Sequence, residues 1–232
     1  MMRLECSNIT YSYPDTDSKV LDKVNCTLSR PGFHSIFGPS GVGKSSFARL
    51  LADEDRYDYQ GKIELTNIHT VLYSYNMERL PGWSSAGAHL NKVVAEEKEE
   101  LKQELIKIFN LSSLLASRFH QLSMGQQNRV NLIRYLLQEY DLLILDESLA
   151  NVDEKLRQSI ILAIKRIFPE KMFLYISHNL MEVATLCDEI LVFGGGSRGK
   201  SYSTIQGQNC CSPESIDRKR VDRTMLEIMN AF

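Results

Sequence analysis

The 232-residue chain has no apolar run long enough to cross a bilayer. Its longest runs, such as "LLIL" at 142–145, fall far short of the ~20 residues a spanning helix needs. The opening "MMRLECSNITYSYPD" lacks the apolar middle of a secretory leader, so none is expected. No charge of one sign dominates. The formal net charge of −2 supplies no basic field for nucleic acid or an anionic membrane, and no nucleic-acid partner is expected. Cysteine is sparse and scattered: five residues, an odd number, without metal-ligand spacing. That usage fits reduced thiols in a cytosolic protein, with adjacent Cys210 and Cys211 the one pair that could hold metal or oxidise. There is no internal repeat, and a single tryptophan, Trp83, follows a Pro-Gly turn signal. What remains is ordinary for a soluble globular protein: 43% hydrophobic and 24% charged residues. The length suits one large domain, or one domain carrying a subdomain.

Along the chain, two kinds of texture alternate. Leu4 and Cys6, Ile9, Tyr11 and Tyr13, then Val24, Cys26 and Leu28 recur at period two, predicting half-buried strands around a turn at 14–18. "FHSIF" (33–37) reads as a short buried strand, followed by a helix over 44–52 and strands near 62–66 and 69–74. After Trp83 the pattern turns helical. Residues 89–109 place the apolar Leu101, Leu105 and Ile108 at spacings of four and three in and after the charged run "EEKEELKQE" (96–104), which reads as a solvated helix face. Beyond it come a helix (126–139), strand (142–145), helix (154–168), strand (172–177), short helix (179–186) and strand (189–193). This alternation predicts an α/β fold with a mostly parallel sheet covered on both faces. "GGGSRGKSYST" (194–204) reads as a glycine-rich exit. The tail is expected to form an amphipathic helix through Val221, Met225, Ile228 and Phe232 that folds back on the sheet.

Two stretches carry chemistry in their residue types. "GPSGVGKSS" (Gly38, Pro39, Ser40, Gly41, Val42, Gly43, Lys44, Ser45, Ser46) fits G-x-x-x-x-G-K-[ST] between a strand and a helix. Its glycines let backbone N–H groups curl around phosphates, and the helix N-terminus adds partial positive charge. Lys44 would reach the β- and γ-phosphates of a nucleotide, and the Ser45 hydroxyl would ligate Mg2+. "LLILDE" (142–147) is an apolar strand ending in two carboxylates, which burial alone would penalise. Asp146 is placed to hold Mg2+ through water, and Glu147 to polarise an attacking water. These motifs define a P-loop NTPase without saying which kind.

"QLSMGQQNRV" (121–130) narrows the class. Ser-x-Gly-Gln opening a helix reads either as an N-cap or as a second anion-binding terminus formed by Ser123, Gly125 and Gln126. With it, the order of motifs resembles the ATP-binding cassette (ABC) family. "LSMGQ" is similar to the family's signature, "DESLANVD" (146–153) to its acidic pair and D-loop, and "ISHNL" (176–180) to its switch-histidine loop. "YSYPD" (11–15) resembles the aromatic A-loop, with Tyr13 the adenine-stacking residue and Tyr11 the alternative in a shifted register. The resemblance covers residues 11–180. It implies an ABC ATPase fold, with an N-terminal antiparallel β-subdomain, a mostly parallel core sheet and a helical subdomain. The implied division is a single domain over 1–232. Residues 1–75 and 122–205 would form the β-subdomain and core, 76–121 the helical signature subdomain, and 206–232 a C-terminal tail.

It also implies a head-to-tail homodimer with ATP between Gly38–Ser46 of one chain and Ser123–Gly125 of the other. Asp153 would communicate across that interface, and His178 would contact the γ-phosphate. Hydrolysis would drive separate transmembrane permease subunits, placing the chain peripherally on the cytoplasmic face of the membrane. The runners-up are a soluble ABC ATPase of DNA repair or translation and a small-molecule kinase.

Three departures stand out. Met124 replaces a small residue of the signature, and Ser148 replaces a common proline, which is expected to loosen the D-loop. No glutamine occurs from Gly61 to Lys102, where the family carries its Q-loop. "YNMERLPGW" (75–83) resembles the family's aromatic-Gln…Leu-Pro-Trp pattern as found in importer ATPases for small oxyanions. Alignment on Trp83 puts Asn76 in the slot, as a sensor of γ-phosphate and Mg2+; alignment on Pro81 puts Tyr75 there.

Overall fold

The computed structural model describes residues 1–14, 16, 18–76, 78–196 and 199–231. Alternating apolar side chains at the N-terminus build β1 (Arg3–Ser12) and β2 (Lys19–Leu28), paired antiparallel with Cys6 opposite Cys26. β3 (Gly32–Phe37) leads through the glycine-rich loop into α1 (Lys44–Ala52). β4 (Gln60–Thr66) pairs with the other edge of β1, completing a three-stranded sheet in the order β2-β1-β4. β5 (Val71–Tyr75) is followed by α2 (Ala86–Asn91), α3 (Glu99–Ile108) and α4 (Met124–Leu136). Then come β6 (Leu142–Asp146), α5 (Glu154–Ile167), β7 (Met172–Ile176), α6 (Leu180–Leu186), β8 (Glu189–Gly196), β9 (Gly199–Gln206) and α7 (Arg218–Asn230).

The second sheet has six strands in the order β5-β6-β7-β3-β8-β9, parallel except for β9. Period-two alternation divides its side chains between two cores. Leu142, Ile144, Leu174 and Ile176 join α1 and the three-stranded sheet on one face. Leu143, Leu145, Phe173 and Tyr175 join the helices on the other. Each fully buried leucine, isoleucine or phenylalanine contributes about 1.5–3 kcal/mol, which is why the strands read as unbroken apolar runs. Arg30 forks onto buried Asp188 through two 2.9 Å hydrogen bonds, clamping the start of β3 to β8.

Several expectations change. The single helix expected over 89–109 is two, α2 and α3, with a short 3-10 turn at Glu96–Lys98 between them. The glycine-rich exit is a hairpin: β9 pairs with β8 from Glu189↔Gln206 to Gly196↔Gly199. An edge strand bonds through its backbone and needs few apolar side chains, so its glycines and serines disguise it. The amphipathic tail is a helix that buries Val221, Thr224 and Ile228 and packs Met225 against the core. Phe232 at its end, Asp15 and Asp17 in the 14–18 turn, Met77 in the 75–83 stretch, and Ser197-Arg198 lie outside the described residues. No helix among the described residues is long and apolar enough to cross a membrane. Cys210 is buried and Cys211 exposed, and neither joins a group of three or more metal-ligating side chains among the described residues.

Candidate functional site

The loop after β3 is shaped by backbone contacts that only glycine permits. A Cβ on Gly38 would sit 2.2 Å from the Phe193 carbonyl oxygen, and one on Gly43 would sit 2.8 Å from that of Val20. Gly43 also has φ 108° and occupies the cap position of α1 without a side-chain cap. The first helical hydrogen bond runs from Phe47 N to Gly43 O. The amides of Lys44, Ser45 and Ser46 therefore lack intrahelical partners and face outward at a helix N-terminus, the arrangement that holds phosphate. Buried Val42 anchors the loop, while Pro39, Ser40 and Gly41 are exposed.

Lys44 lies back over this loop, its Nζ donating to Gly38 O and Pro39 O at 2.8 Å each. Burial lowers its affinity for a proton below the usual lysine value, opposed by the nearby Glu147 and Asp146 carboxylates. Both acids thus lie near the Lys44 ammonium. Asp146 ends β6, almost completely buried, and accepts a 2.6 Å hydrogen bond from Tyr73 Oη at Oδ2. Glu147 follows with φ 52°, a left-handed conformation that costs a non-glycine residue about 1–2 kcal/mol. Such strain concentrates at functional positions. Its Oε1 lies 2.6 Å from His178 Nε2, and both side chains remain accessible. The hydroxyl of Ser45 and the carboxylate of Asp146 are hard oxygen donors of the kind Mg2+ selects, so the donor set fits that ion.

Tyr13 is exposed beside the loop, its Oη 2.8 Å from Ser46 Oγ, whereas Tyr11 is buried against Tyr13 and Tyr57. A base could stack on the first ring and not on the second.

The signature residues are organised differently. Ser123 caps α4 reciprocally: Ser123 Oγ accepts from Gln126 N at 3.3 Å, and Gln126 Oε1 accepts from Ser123 N at 2.8 Å. A Cβ on Gly125 would lie 2.1 Å from Asn151 O, so glycine here lets α4 touch its own D-loop. Met124 is exposed. Among the described residues no hydrogen bond joins Ser123–Gln126 to the Gly38–Ser46 loop. Asp153 caps α5, accepting from Leu156 N at 3.0 Å.

Two departures take definite form. Ser148 does not loosen the D-loop: it is buried and donates to Ser74 O at 2.8 Å, tying the loop to β5. Asn76 extends the strand ladder, its N donating to Asp146 O at 3.0 Å. Its side-chain oxygen, however, accepts from buried Asn128 Nδ2 at 2.9 Å, and Asn128 also donates to Ala150 O. Asn76 is therefore turned toward α4 and the D-loop. Tyr75 is exposed and stacks on Tyr73 with centroids 5.7 Å apart. Trp83 is 78% exposed, while Pro81 O and Gly82 O on its approach accept from His89 and His120.

Sequence reasoning missed Tyr73, Asn128 and a buried cluster beneath His178. There Glu182 accepts from Tyr175 Oη at 2.7 Å, Ser177 Oγ at 3.1 Å and Arg157 Nε at 2.5 Å. Arg157 also donates to Val152 O, so the D-loop and the histidine loop share one charged tie. The spacing Asn179-x-x-Glu182 was a visible signal, since it has the form of a capping box. Asn179 does cap Glu182 N, but the carboxylate serves the cluster instead.

The family model described as ABC transporter matches residues 21–150, and the chain belongs to that family. The spermidine/putrescine import ATP-binding protein PotA of Mesorhizobium japonicum is 30% identical over 83% of this chain and 58% of its own length. PotA of Borreliella afzelii is 28% identical over 83% of this chain and 60% of its own. The sn-glycerol-3-phosphate import ATP-binding protein UgpC of Chromobacterium violaceum is 28% identical over 84% and 57%. The chain thus spans less than two thirds of the length of these curated relatives. Among solved structures, a bacterial Atm1-family ABC exporter with ATP bound superposes with a TM-score of 0.71 at 22% identity, covering 82% of this chain and 36% of that one. An inward-facing metal-chelate type ABC transporter gives 0.70 at 18%, covering 93% and 87%. Both have the ABC ATPase fold seen here.

Proposed function

We propose that this chain is the ATP-binding, ATP-hydrolysing subunit of an ABC transporter. It works as a head-to-tail homodimer on separate transmembrane permease subunits, at the cytoplasmic face of the membrane. The observation that carries the reading is the uncapped N-terminus of α1, with Lys44 beside Asp146 and Glu147 and with Glu147 already on His178. The import ATP-binding names of the relatives favour transport over a soluble role in repair or translation. Their cargoes differ from one another and are not carried over.

In this reading Tyr13 stacks on the adenine, and the amides of Lys44, Ser45 and Ser46 hold the phosphates. Lys44 leaves the loop carbonyls to reach the β- and γ-phosphates. Ser45 and Asp146 hold Mg2+, which when bound neutralises charge on the transferred phosphoryl group. Glu147 accepts a proton from the attacking water, and His178 orients Glu147 and meets the γ-phosphate. Ser123, Gly125 and Gln126 contact the phosphate of the partner chain's site. Asp153 and Asn76 relay the state of that site through the D-loop and α4. The division into a β-subdomain and core (1–75, 122–205), a helical subdomain (76–121) and a tail (206–232) belongs to the same proposal.

Glu147→Gln tests the chemistry. It keeps the size and hydrogen bonding of the side chain but removes the base, so steady-state hydrolysis should fall by about 10²–10⁴-fold. ATP binding should persist and trap a dimer detectable by gel filtration; undiminished turnover refutes Glu147 as base. Co-purification with a multi-span protein from detergent-solubilised membranes tests the transporter assignment, and a ribosome or DNA partner instead would sink it.

A further inference from the structure

We propose that Tyr73 is a positioning residue for the metal-holding carboxylate Asp146, and that Arg49 wires it to an open cleft on the outer side of β5. The proposal rests on the reading of Asp146 as the Mg2+ holder. β5 is the edge strand of the six-stranded sheet and runs parallel to β6, with Tyr73 opposite Ile144 and Tyr75 opposite Asp146. This register brings the Tyr73 phenol to the end of β6, where Oη donates to Asp146 Oδ2 at 2.6 Å. Among the described residues it is the sole side chain that hydrogen-bonds this carboxylate.

A carboxylate at a strand end can turn about its terminal bond, and a ligand free to turn must be ordered when the metal binds. Tyr73 removes that freedom. It occupies Oδ2 and leaves Oδ1 without a side-chain hydrogen bond among the described residues, the division of labour that outer partners impose on metal-holding acids. A phenol suits the task because at neutral pH it is a neutral donor and brings no competing charge.

Neighbouring groups support the assignment. The amide of Asn76, adjacent to Asp146 along the ladder, has its oxygen committed to Asn128 and is turned away toward α4. The Arg49 guanidinium lies beside the Tyr73 hydroxyl. Arg49 and Tyr73 share a cleft of about 630 Å³ with Arg56, Tyr57, Tyr75 and Tyr135. The contact chain Arg49–Tyr73–Asp146 therefore runs from open surface to the metal position in two steps, and neither step uses the Asn76 side chain.

The test is Mn2+ binding, followed by EPR on protein loaded with a non-hydrolysable ATP analogue, with analogue affinity in EDTA measured alongside. Tyr73→Phe keeps the ring and removes the donor. It should weaken Mn2+ binding by about tenfold, the lower end of the range for outer-partner loss, and leave metal-free nucleotide affinity unchanged. Exposed Arg49→Gln should shift Mn2+ affinity in the same direction by a smaller factor, and it gives a reading even if Tyr73→Phe folds poorly. Asp146→Asn should abolish Mn2+ binding. Wild-type Mn2+ affinity in either Tyr73→Phe or Arg49→Gln, with binding lost in Asp146→Asn, overturns this inference alone. Equal loss of metal-free nucleotide affinity in Tyr73→Phe also overturns it, because that outcome marks a general structural role. Wild-type Mn2+ affinity in Asp146→Asn overturns the metal-site reading and the inference with it.

Discussion

At the Gly38–Ser46 loop, three helix amides have no cap, and Lys44 rests on loop carbonyls that a phosphate would displace. At the start of α4, by contrast, the Ser123 and Gln126 side chains satisfy each other's backbone amides. The first helix end leaves the amides of Lys44, Ser45 and Ser46 without a helical partner; the second leaves only those of Met124 and Gly125, because the Ser123 hydroxyl takes the amide of Gln126. In the proposed dimer the first end would hold the chain's own nucleotide, and the second would meet the nucleotide that a partner chain brings to it. Both helix starts use the same backbone physics. The difference lies in two positions: glycine rather than serine at the cap, and Ser46 rather than Gln126 three residues on.

The largest effect that would break this contrast is at Lys44. Lys44→Ala should weaken ATP binding by about 10–100-fold, the range for losing a charged hydrogen bond of roughly 1.5–3 kcal/mol. Isothermal titration at low protein concentration measures it, and unchanged affinity would remove the loop from the site. Ser123→Ala should behave in the opposite way. It should cost about 1 kcal/mol of stability through the lost cap and leave the affinity of isolated chains for ATP intact. ATP-dependent dimerisation in the Glu147→Gln background should weaken. Reduced ATP affinity of the monomer would show that the α4 end already belongs to the same-chain site.

The smallest effect concerns the strand beneath the loop. His34 in β3 is fully buried, its Nε2 on Arg30 O at 3.1 Å and its Nδ1 accepting from Glu189 N at 3.4 Å. Burial holds it below the usual histidine value, against the opposing pull of the Arg30 carbonyl and Asp188. The unfolded chain then takes up a proton more readily than the folded one. This contribution to stability is complete above about pH 6.5 and is lost as pH falls from there through the folded value. Calorimetry should show the melting temperature falling on acidification below that point, with a shallower fall in His34→Gln. Identical pH slopes would exclude His34 as the source.

Much of this arrangement was legible before any fold was known, because its signals are local. Glycines at fixed offsets before Lys44, an apolar run ending at Asp146-Glu147, and Ser-x-Gly-Gln opening a helix are each contiguous in the chain. The sheet was legible for the same reason, through period-two strands alternating with helices. What escaped was nonlocal or ambiguous. β9 escaped because an edge strand of glycine, serine and threonine has the composition of a loop. Ser148 was misjudged because its partner, Ser74, lies on another strand.

From its residues alone, this protein was bound to have a phosphate loop, a pair of acids at a strand end and the order of motifs of its family. Those features are written in spacings of a few residues, which backbone geometry translates directly. The tertiary structure alone chose Tyr13 over Tyr11 as the exposed ring and turned Asn76 onto Asn128. It also set Gly125 against Asn151 and brought the Tyr73 hydroxyl to Asp146. Each of those outcomes depends on register between strands or on helices packed from distant parts of the chain, and neither has a local period to betray it.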